Sequence, residues 1–442
     1  MTYIEQLQKK HITVLGLGVT GQGIVRFLLS HGINPKVVDS RPVPPCADWL
    51  NHNAPDCEAV FGNLADAALA QTDLIIISPG IPLFEQSVAQ AIAKGVEVIG
   101  DIELFARLNT RPVIAVTGSN GKSTVVSLAT EVLKAAGLKV GLGGNIGTSV
   151  LSILDDEHDV YVLELSSFQL ETTHSLACLS AMILNITEDH MDRYPDFQAY
   201  IKAKQRIYQH VEHIVFNAED QHTFAEHGQG SSVSLTEGDY HLMKVAHEPY
   251  FAYKQTPLLP VSSLAMVGKH NQFNALAVLA LLAPMQLPTS AFVTALGAFR
   301  GLPHRCQLVA DVAGVRYFND SKATNVGSTV AAIESLASTK RNIILIAGGD
   351  AKGADLTPLK APLNAHCKAL FCFGQDGEQF MPLLRNSHRV NNLKEAVIAA
   401  KSIATIGDIV LLAPACASID MYPNYMARGD EFVQLVEEHT LV

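Results

Sequence analysis

The sequence predicts an α/β protein of three domains, each built around a mostly parallel β-sheet. The chain has 442 residues, and a typical domain has about 150. Short runs of Val, Ile and Leu alternate from end to end with stretches of helical character, and these runs lack alternating polar residues. That pattern is typical of parallel strands buried on both faces, with helices as the crossover connections.

The predicted strands fall into three groups. The early group is Ile12–Leu15, Lys36–Val38 and Leu74–Ile77. The middle group is Val113–Val116, Val160–Leu163, Ala181–Ile186 and Ile214–Phe216. The late group is Val315–Phe318, Ile343–Ala347, Ala369–Phe373 and Ile409–Leu412. We expect a crossover helix over Val125–Ala136, and a small antiparallel elaboration of the middle domain over Asn217–Ser263.

Two segments indicate joints between domains. Gly100–Pro112 is polar and ends at a proline before a new strand, and Arg300–Pro303 follows an apolar helix. We therefore expect domains over residues 1–97, 98–301 and 302–442.

Composition excludes several classes of protein. Hydrophobic residues make up 48% of the chain, which excludes a disordered protein. The net charge is −11 and there is no basic run, so we expect no binding to nucleic acid. The longest apolar run, Ala275–Ala283, is far shorter than the roughly 20 residues of a membrane span. The N-terminus has no signal-peptide core, and seven scattered cysteines without a CxxC motif indicate reduced thiols, so we expect a cytoplasmic protein.

The first glycine motif, Gly16-Leu-Gly18-Val-Thr-Gly21, directly follows a predicted strand. Glycines at this spacing let the backbone approach a phosphate at a helix N-terminus. Asp39 ends the next strand, where dinucleotide-binding folds place an acid on the ribose. Ser40 and Arg41 follow it and could hold a phosphate. The alternative is a tight strand-to-helix turn with no ligand.

The second glycine motif is a stronger signal. Thr117-Gly118-Ser119-Asn120-Gly121-Lys122-Ser123-Thr124 lies between a predicted strand and a predicted helix. Such a loop cradles phosphates with its backbone N–H groups, while the lysine reaches the β and γ oxygens and the hydroxyls reach Mg²⁺. Its first glycine lies three residues before Gly121, whereas the standard P-loop has five.

Further polar residues follow the strands of the middle domain. Asn145 comes after a short run at Lys139–Leu142, Glu164 closes Val160–Leu163, and His190 follows Ala181–Ile186. Ligands of open parallel sheets bind outside the carboxyl ends of the strands, so we expect these side chains to converge. Glu and His with hydroxyls suit Mg²⁺ or Mn²⁺ beside phosphates, although each alone could be a capping residue.

Lys204 is predicted to lie inside an apolar helical stripe. Phe197, Tyr200, Ile201, Tyr208 and Val211 share one helical face with it. Burial disfavours the ammonium, and the neutral amine could then do chemistry or add carbon dioxide. The alternative is a lysine that extends its charged end to water.

The last domain repeats the pattern of polar groups after strands. The segments are Asn319–Asn325, Gly348–Lys352 and Pro414–Ser418. Lys322 and Lys352 could hold carboxylates or phosphates. Cys416 has no indicated histidine partner, so we interpret it as a small buried residue.

Six motifs taken together resemble the Mur ligases of peptidoglycan synthesis, above all the members that add D-glutamate. They are TGSNGKST, ELSSFQLE, NITEDHMDRY, GLPHR, NDSKATN and PACASID, and they span the whole chain. The resemblance implies a Rossmann-like domain for the uridine-diphosphate substrate, a central ATPase and a Rossmann-like C-terminal domain. It implies ATP-dependent amide formation between UDP-N-acetylmuramoyl-L-alanine and D-glutamate through an acyl phosphate and a tetrahedral intermediate, with release of ADP and phosphate. It also implies two Mg²⁺ ions, with Mn²⁺ as a substitute, and we expect a monomer.

The resemblance also implies roles for individual residues. The ATP contacts it implies are Gly118, Ser119, Asn120, Gly121, Lys122, Ser123, Thr124, Asn274, Arg305 and Asp320. The metal ligands are Thr124, Glu164, His190 and a carbamylated Lys204, and the catalytic residues are Lys122, His190, Lys204 and Asn145. The uridine-diphosphate contacts are Thr20, Ser40, Arg41 and Gly80, and Asn145 faces the muramoyl group. The amino-acid pocket is Thr324, Lys352, Ser418 and Tyr425, the last standing where relatives carry Phe, and Lys322 is a further substrate-binding residue.

Three other functions are compatible with parts of the sequence. A NAD-dependent dehydrogenase would use Gly16–Gly21 and Asp39 but leaves the P-loop without a role. A ligase with the same ATP core could accept another amino acid or act on folate, although the first glycine motif disfavours the folate enzyme. A non-enzymatic nucleotide switch would hydrolyse ATP slowly whatever acceptor is present.

Overall fold

The computed structural model describes residues 2–155, 157–189, 191, 193–225 and 230–440. The chain forms two compact units. The first comprises Met1–Ser263 with Phe273–Leu296, and the second comprises Leu264–Gln272 with Gly297–Val442. In the described part of the chain, no helix is both long enough and apolar enough to cross a membrane.

The first unit begins with a five-stranded parallel sheet in the order β3-β2-β1-β4-β5. Its strands are β1 (Ile12–Leu15), β2 (Lys36–Asp39), β3 (Ala59–Phe61), β4 (Leu74–Ile77) and β5 (Glu97–Gly100). Its helices are α1 (Tyr3–Leu7), α2 (Val19–Ser30), α3 (Ala47–Asn53), α4 (Gln86–Ala93) and α5 (Asp101–Leu108). Since β1 and β4 are neighbours but their connections leave in opposite directions, their carboxyl ends form a crevice of the kind that binds ligands.

A nine-stranded sheet follows in the order β14-β13-β12-β11-β10-β9-β6-β8-β7. Its strands are β6 (Val113–Thr117), β7 (Val140–Gly144), β8 (Val160–Glu164), β9 (Cys178–Ile183), β10 (Val211–Asn217), β11 (Ser231–Val233), β12 (Tyr240–Val245), β13 (Glu248–Tyr253) and β14 (Thr256–Pro260). The helices are α6 (Lys122–Ala135), α7 (Ser167–Glu171), α8 (Phe197–Gln205), α9 (Lys269–Leu282) and α10 (Thr289–Ala298). Strands β12 to β14 pair antiparallel, which confirms the predicted elaboration.

The second unit holds a six-stranded sheet in the order β15-β16-β20-β17-β18-β19, parallel except for β15. Its strands are β15 (Gln307–Val312), β16 (Val315–Asn319), β17 (Ile343–Gly348), β18 (Cys367–Phe373), β19 (Ser387–Arg389) and β20 (Ile409–Leu412). Helices α11 (Val326–Leu336) and α12 (Lys360–His366) cover one face, and α13 (Leu393–Ile403) and α14 (Tyr425–Thr440) cover the other. The predicted α/β class with mostly parallel sheets is therefore confirmed.

Two local predictions differ from the structure. The strand expected over Ala181–Ile186 ends at Ile183, because the chain turns there towards the loop after β6. The segment Gly100–Pro112 is not an open polar linker, because helix α5 within it buries Ile102, Leu104 and Phe105. Strand β5 extends the first sheet to Gly100, beyond the predicted end of the first domain at residue 97. The domain boundaries after residues 97 and 301 stay predictions.

Candidate active site

The first glycine motif forms a tight loop between β1 and α2. Gly16 has a φ of +95°, and a Cβ atom at Gly21 would lie 1.8 Å from the carbonyl oxygen of Gly16, so neither position accommodates a side chain. The Ser78 hydroxyl, at the end of β4, donates to the same oxygen at 2.9 Å. The loop after β4 is therefore packed directly on the glycine loop.

Asp39 supports this loop from the end of β2. Its buried carboxylate accepts the Leu17 N–H at 2.6 Å and two guanidinium N–H groups of Arg41 at 2.8 and 2.6 Å. Burial raises the pKa of Asp39, but the hydrogen bonds from Arg41 and Leu17 outweigh it and hold that pKa below its usual value. Asp39 thus fixes Arg41 and the loop, which disfavours the dehydrogenase interpretation, in which Asp39 binds a ribose. The other predicted contacts, Thr20, Ser40 and Gly80, also lie in the segments after β1, β2 and β4.

The second glycine motif lies at the carboxyl end of β6. Gly118 and Gly121 have positive φ values of +147° and +88°. The Ser119 N–H donates to the Asn185 carbonyl at 2.8 Å, and the Asn120 N–H donates to the Asn185 side-chain oxygen at 2.9 Å. Asn185 therefore holds the loop from the segment after β9. Sequence reasoning missed Asn185 because it falls within the predicted strand Ala181–Ile186. A single polar residue in an apolar run could have indicated its role.

Lys122 begins helix α6 and folds back over the loop. Its ammonium donates to the carbonyl oxygens of Gly118 and Ser119 at 2.8 and 3.0 Å. A cation is thus held at a helix N-terminus, where the backbone already favours negative charge. Asn274, on α9, lies beside the same loop, since a Cβ atom at Gly121 would be 3.2 Å from its side-chain oxygen.

Glu164 closes β8 and is almost fully buried. The Ser123 hydroxyl donates to one carboxylate oxygen at 2.5 Å, and the Asn145 side-chain amide donates to the other at 2.8 Å. The ends of β6, β7 and β8 therefore bring together the second glycine loop, Glu164 and Asn145, as the sequence predicted, while His190, predicted beside them, lies outside the described residues. Thr124, predicted beside them, is also buried.

Lys204 is 2% exposed, which confirms its predicted burial. Its ammonium donates to the Gly118 carbonyl at 2.9 Å and lies 4.6 Å from the centre of the Tyr200 ring. Burial, and then the nearby charge of Lys122, lower the pKa of Lys204 well below its usual value. The prediction of one helical stripe through Val211 is wrong, because α8 ends at Gln205 and Val211 begins β10.

Oxygen ligands for a hard cation lie at the same place. In the described ranges, no three His, Cys, Asp or Glu side chains form a metal-binding group by themselves. The predicted ligand His190 lies outside the described residues. The Glu164 carboxylate beside the Ser123 hydroxyl and the second glycine loop is nonetheless a donor set that suits Mg²⁺, which usually takes one or two carboxylates with phosphates and water.

The second unit has a polar centre of its own at the carboxyl ends of β16, β17 and β20. Arg428, on α14, is fully buried, and sequence reasoning missed it. Its guanidinium donates to the Ser321 hydroxyl and carbonyl at 3.0 and 2.9 Å and to the carbonyls of Cys416, Ala417 and Gly348 at 3.1, 3.3 and 3.5 Å. One side chain thus joins the end of β17 to the segments that follow β16 and β20. Arginine with five rigidly placed donors suits such a role.

The predicted amino-acid residues lie on these loops. The Lys322 ammonium lies 4.3 Å from the centre of the Tyr425 ring, and Thr324 follows in the same turn. Lys352 is exposed and Ser418 is buried, on loops joined by two hydrogen bonds between the backbones of Asp350 and Ala417, at 2.8 and 3.1 Å.

Three other residues singled out in the sequence, Arg305, Asp320 and Cys416, also lie in the second unit. Asp320 is half-buried beside Cys306, whose N–H donates to the Asp320 carboxylate at 3.2 Å. Burial raises the pKa of Asp320 to about 7, despite the opposing effects of Cys306 and Arg305. Cys416 is fully buried, as predicted, and burial raises the pKa of its thiol to about 12.

Three family models match consecutive parts of the chain. The model described as Mur ligase MurD-like, N-terminal domain, matches residues 10–100. The Mur ligase middle domain matches residues 116–282, and the Mur ligase, glutamate ligase domain matches residues 304–416.

Relatives and solved structures agree with these matches. A UDP-N-acetylmuramoylalanine--D-glutamate ligase of Pseudoalteromonas translucida is 56% identical over 441 residues, 99% of each chain. A protein of the same name from Escherichia coli is 46% identical over 436 residues, 98% of this chain and 99% of the relative. The fold is similar to that of UDP-N-acetylmuramate-alanine ligase MurC from Thermotoga maritima, with a TM-score of 0.62, 18% identity and coverage of 97% and 99%. It is similar too to MurF of Thermotoga maritima in complex with ADP, with a TM-score of 0.61, 14% identity and coverage of 100% and 97%.

Proposed function

The chain belongs to the Mur ligase family, and from this membership we propose that it is an ATP-dependent ligase that adds D-glutamate to UDP-N-acetylmuramoyl-L-alanine. Relatives that are 45 to 56% identical over nearly their whole length carry the name of this one activity. In the structure, the observation that carries the proposal is the meeting of the P-loop, Glu164 and buried Lys204 at one sheet edge. The product extends a precursor of peptidoglycan, and thus serves cell-wall growth and division.

The chemistry requires activation of a carboxylate. An oxygen of the L-alanyl carboxylate attacks the γ-phosphorus of ATP, ADP leaves, and an acyl phosphate forms. The amine of D-glutamate then attacks the carbonyl carbon through a tetrahedral intermediate, and phosphate leaves as the amide forms. Phosphoryl transfer of this kind depends on positioning and charge neutralisation more than on covalent catalysis. We propose that Lys122 and the backbone N–H groups of the first turn of α6 provide both, since the N–H groups of Ser119 and Asn120 donate to Asn185.

Two Mg²⁺ ions complete the proposal, with Mn²⁺ as a substitute. When bound, such ions neutralise phosphate charge and hold the reacting oxygens in line. We propose that Thr124, Glu164 and His190 hold them, together with Lys204 as a carbamate, while Asn145 orients the muramoyl group. The lowered pKa of Lys204 supports carbamylation, because only the neutral amine adds carbon dioxide.

The remaining contacts are assigned by unit. In the first unit, we propose that Thr20, Ser40, Arg41 and Gly80 bind the uridine diphosphate and that Asn274 contacts ATP. In the second unit, we propose Arg305 and Asp320 for ATP, and Thr324, Lys322, Lys352, Ser418 and Tyr425 for D-glutamate. We propose that the protein acts as a monomer in the cytoplasm. Its seven free thiols support the cytoplasmic location, because cysteines stay reduced there.

A phosphate-release assay tests the proposed function. The purified protein is given ATP and Mg²⁺ with UDP-N-acetylmuramoyl-L-alanine and D-glutamate, each omitted in turn, and the product mass is measured. We expect phosphate release and an amide product only when both acceptor and amino acid are present. Release that is indifferent to both would instead indicate a nucleotide switch.

A further inference from the structure

Arg193 connects the loop after β4 of the first sheet to helix α7, which follows β8 of the second sheet. It lies between β9 and α8, and its side chain is only 9% exposed. One guanidinium nitrogen donates to the Glu171 carboxylate at 2.8 Å, and the guanidinium carbon lies 4.4 Å from the centre of the Phe168 ring. The ion pair and the aromatic contact fix the guanidinium against α7.

The same guanidinium reaches the loop after β4. It donates to the carbonyl oxygens of Gly80 and Ile81 at 3.3 and 3.5 Å. Ile81 in turn packs against the first glycine loop, because a Cβ atom at Gly16 would lie 3.1 Å from its terminal methyl group. A continuous series of contacts therefore runs from the first glycine loop to α7, which follows Glu164.

The substrate of the proposed reaction gives this connection a purpose. Its diphosphate is assigned to the loops of the first sheet, whereas its carboxylate must react beside the P-loop on the second sheet. A substrate held at both ends reacts efficiently only if the two holding sites keep a fixed separation. Arg193 is a residue whose side chain contacts both parts.

We propose that Arg193 is a positioning residue that holds the loop at Gly80 and Ile81 in register with the second sheet, so that the L-alanyl carboxylate of the bound nucleotide reaches the P-loop. This inference rests on the proposed function. Lysine cannot replace arginine here, because a single ammonium cannot pair with a carboxylate and reach two carbonyls of another loop in the same plane.

The test compares Arg193→Lys with the matched control Arg206→Lys. Arg206 also contacts α7 and the residues after it, donating to the carbonyls of Leu170 and Thr173 at 2.6 and 2.7 Å. Among the described residues, its hydrogen bonds stay beside the second sheet. For Arg193→Lys we expect kcat/KM for UDP-N-acetylmuramoyl-L-alanine to fall by about 10- to 100-fold, with KM for ATP unchanged. For Arg206→Lys we expect kcat/KM for UDP-N-acetylmuramoyl-L-alanine to stay unchanged, even where the thermal stability falls.

Amide hydrogen exchange gives a readout that does not depend on activity. Residues 78–85 should exchange faster in Arg193→Lys than in the wild type or in Arg206→Lys, and Glu171→Gln should shift them in the same direction if Arg193→Lys fails to fold. Equal exchange in all variants, or an equal fall in kcat/KM for both arginine variants, would overturn the inference. A wild-type protein without D-glutamate-dependent phosphate release would refute the proposed function alone, since the exchange difference would remain.

Discussion

The side-chain nitrogen of Lys204 lies 2.9 Å from the carbonyl oxygen of Gly118, the first glycine of the P-loop. Lys122 donates to the same oxygen at 2.8 Å, so two lysines from different helices share one acceptor. Burial, and after it the nearby positive charge of Lys122, lower the pKa of Lys204. A carbamate at Lys204 would replace one of the two positive charges with a negative one.

The first prediction concerns that carbamate. Replacing Lys204 with Ala should lower ligation by at least about 100-fold, as expected for loss of a group that stabilises charge in the transition state. Acetate or formate should restore part of the rate, because the small carboxylate can occupy the vacated space and ligate Mg²⁺. Lys204→Arg should not be rescued, because its side chain fills the space and stays cationic.

The matched control for this prediction is Lys202→Ala, which removes an exposed lysine from the same helix. Its ligation rate should equal that of the wild type with or without acetate. Equal stimulation of both variants by acetate would show that the carboxylate acts elsewhere.

The second prediction separates nucleotide activation from substrate binding. Lys122→Ala should abolish ligation while the dissociation constant for UDP-N-acetylmuramoyl-L-alanine stays unchanged, because Lys122 is on α6 and the uridine-diphosphate contacts are assigned to the first sheet. Isothermal calorimetry measures that binding, and phosphate release measures the activity. Lys134→Ala, at the exposed end of the same helix, is the control and should change neither. Loss of nucleotide binding in Lys122→Ala would show that the two sites are not separable.

Strand positions were predictable because buried parallel strands need continuous apolar runs. The P-loop, Glu164 and Asn145 could be placed together because each follows such a run, and parallel strands end at the same edge. Asp39 shows the limit of this reasoning: its spacing suggested a ribose ligand, but its carboxylate is taken up by Arg41 and Leu17. Sequence spacing predicts where a carboxylate lies in the fold, but it does not show which neighbouring group hydrogen-bonds to it.

The residues that sequence reasoning missed act over long separations. Arg428 contacts Ser321, 107 positions away, and Arg193 contacts Gly80, 113 positions away. No local pattern in the sequence distinguishes a buried arginine from an exposed one, so only the packing of distant segments reveals it. The end of α8 at Gln205 was missed for the opposite reason, since apolar spacing continues through Val211 although the chain has left the helix.

The third prediction concerns amino-acid selection by the second unit. Ser418→Ala and Lys352→Ala should each raise KM for D-glutamate by about 10- to 100-fold, because a hydrogen bond to a charged group contributes about 1.5–3 kcal/mol. KM for ATP should not change. The wild type should reject L-glutamate and D-aspartate, because donors placed for two carboxylates are left unpaired by a misplaced one. Phosphate release, measured with each amino acid and at varied concentrations of D-glutamate and ATP, gives both the KM values and the amino-acid selectivity.

Lys360→Ala is the control for Lys352, since it removes an exposed lysine from α12. It should leave KM for D-glutamate unchanged. Turnover of L-glutamate at the same rate as D-glutamate would refute the assigned pocket.

The fourth prediction concerns the pH dependence of stability through Asp320. Burial raises the pKa of this carboxyl to about 7 in the folded protein, above its ordinary value of 3.8. Between these two values the folded state holds more protons than the unfolded state, so the contribution of Asp320 to stability is largest below 3.8 and is lost as the pH rises towards 7. Asp320→Asn cannot ionise at this position, so its Tm should depend less on pH over that window and should exceed the wild-type Tm near the upper end of the window.

Calorimetric Tm values of the two proteins across the window give the comparison, with Asp311→Asn as a control for an exposed carboxylate. If the Tm values of Asp320→Asn and the wild type run parallel at every pH, Asp320 does not titrate in this range.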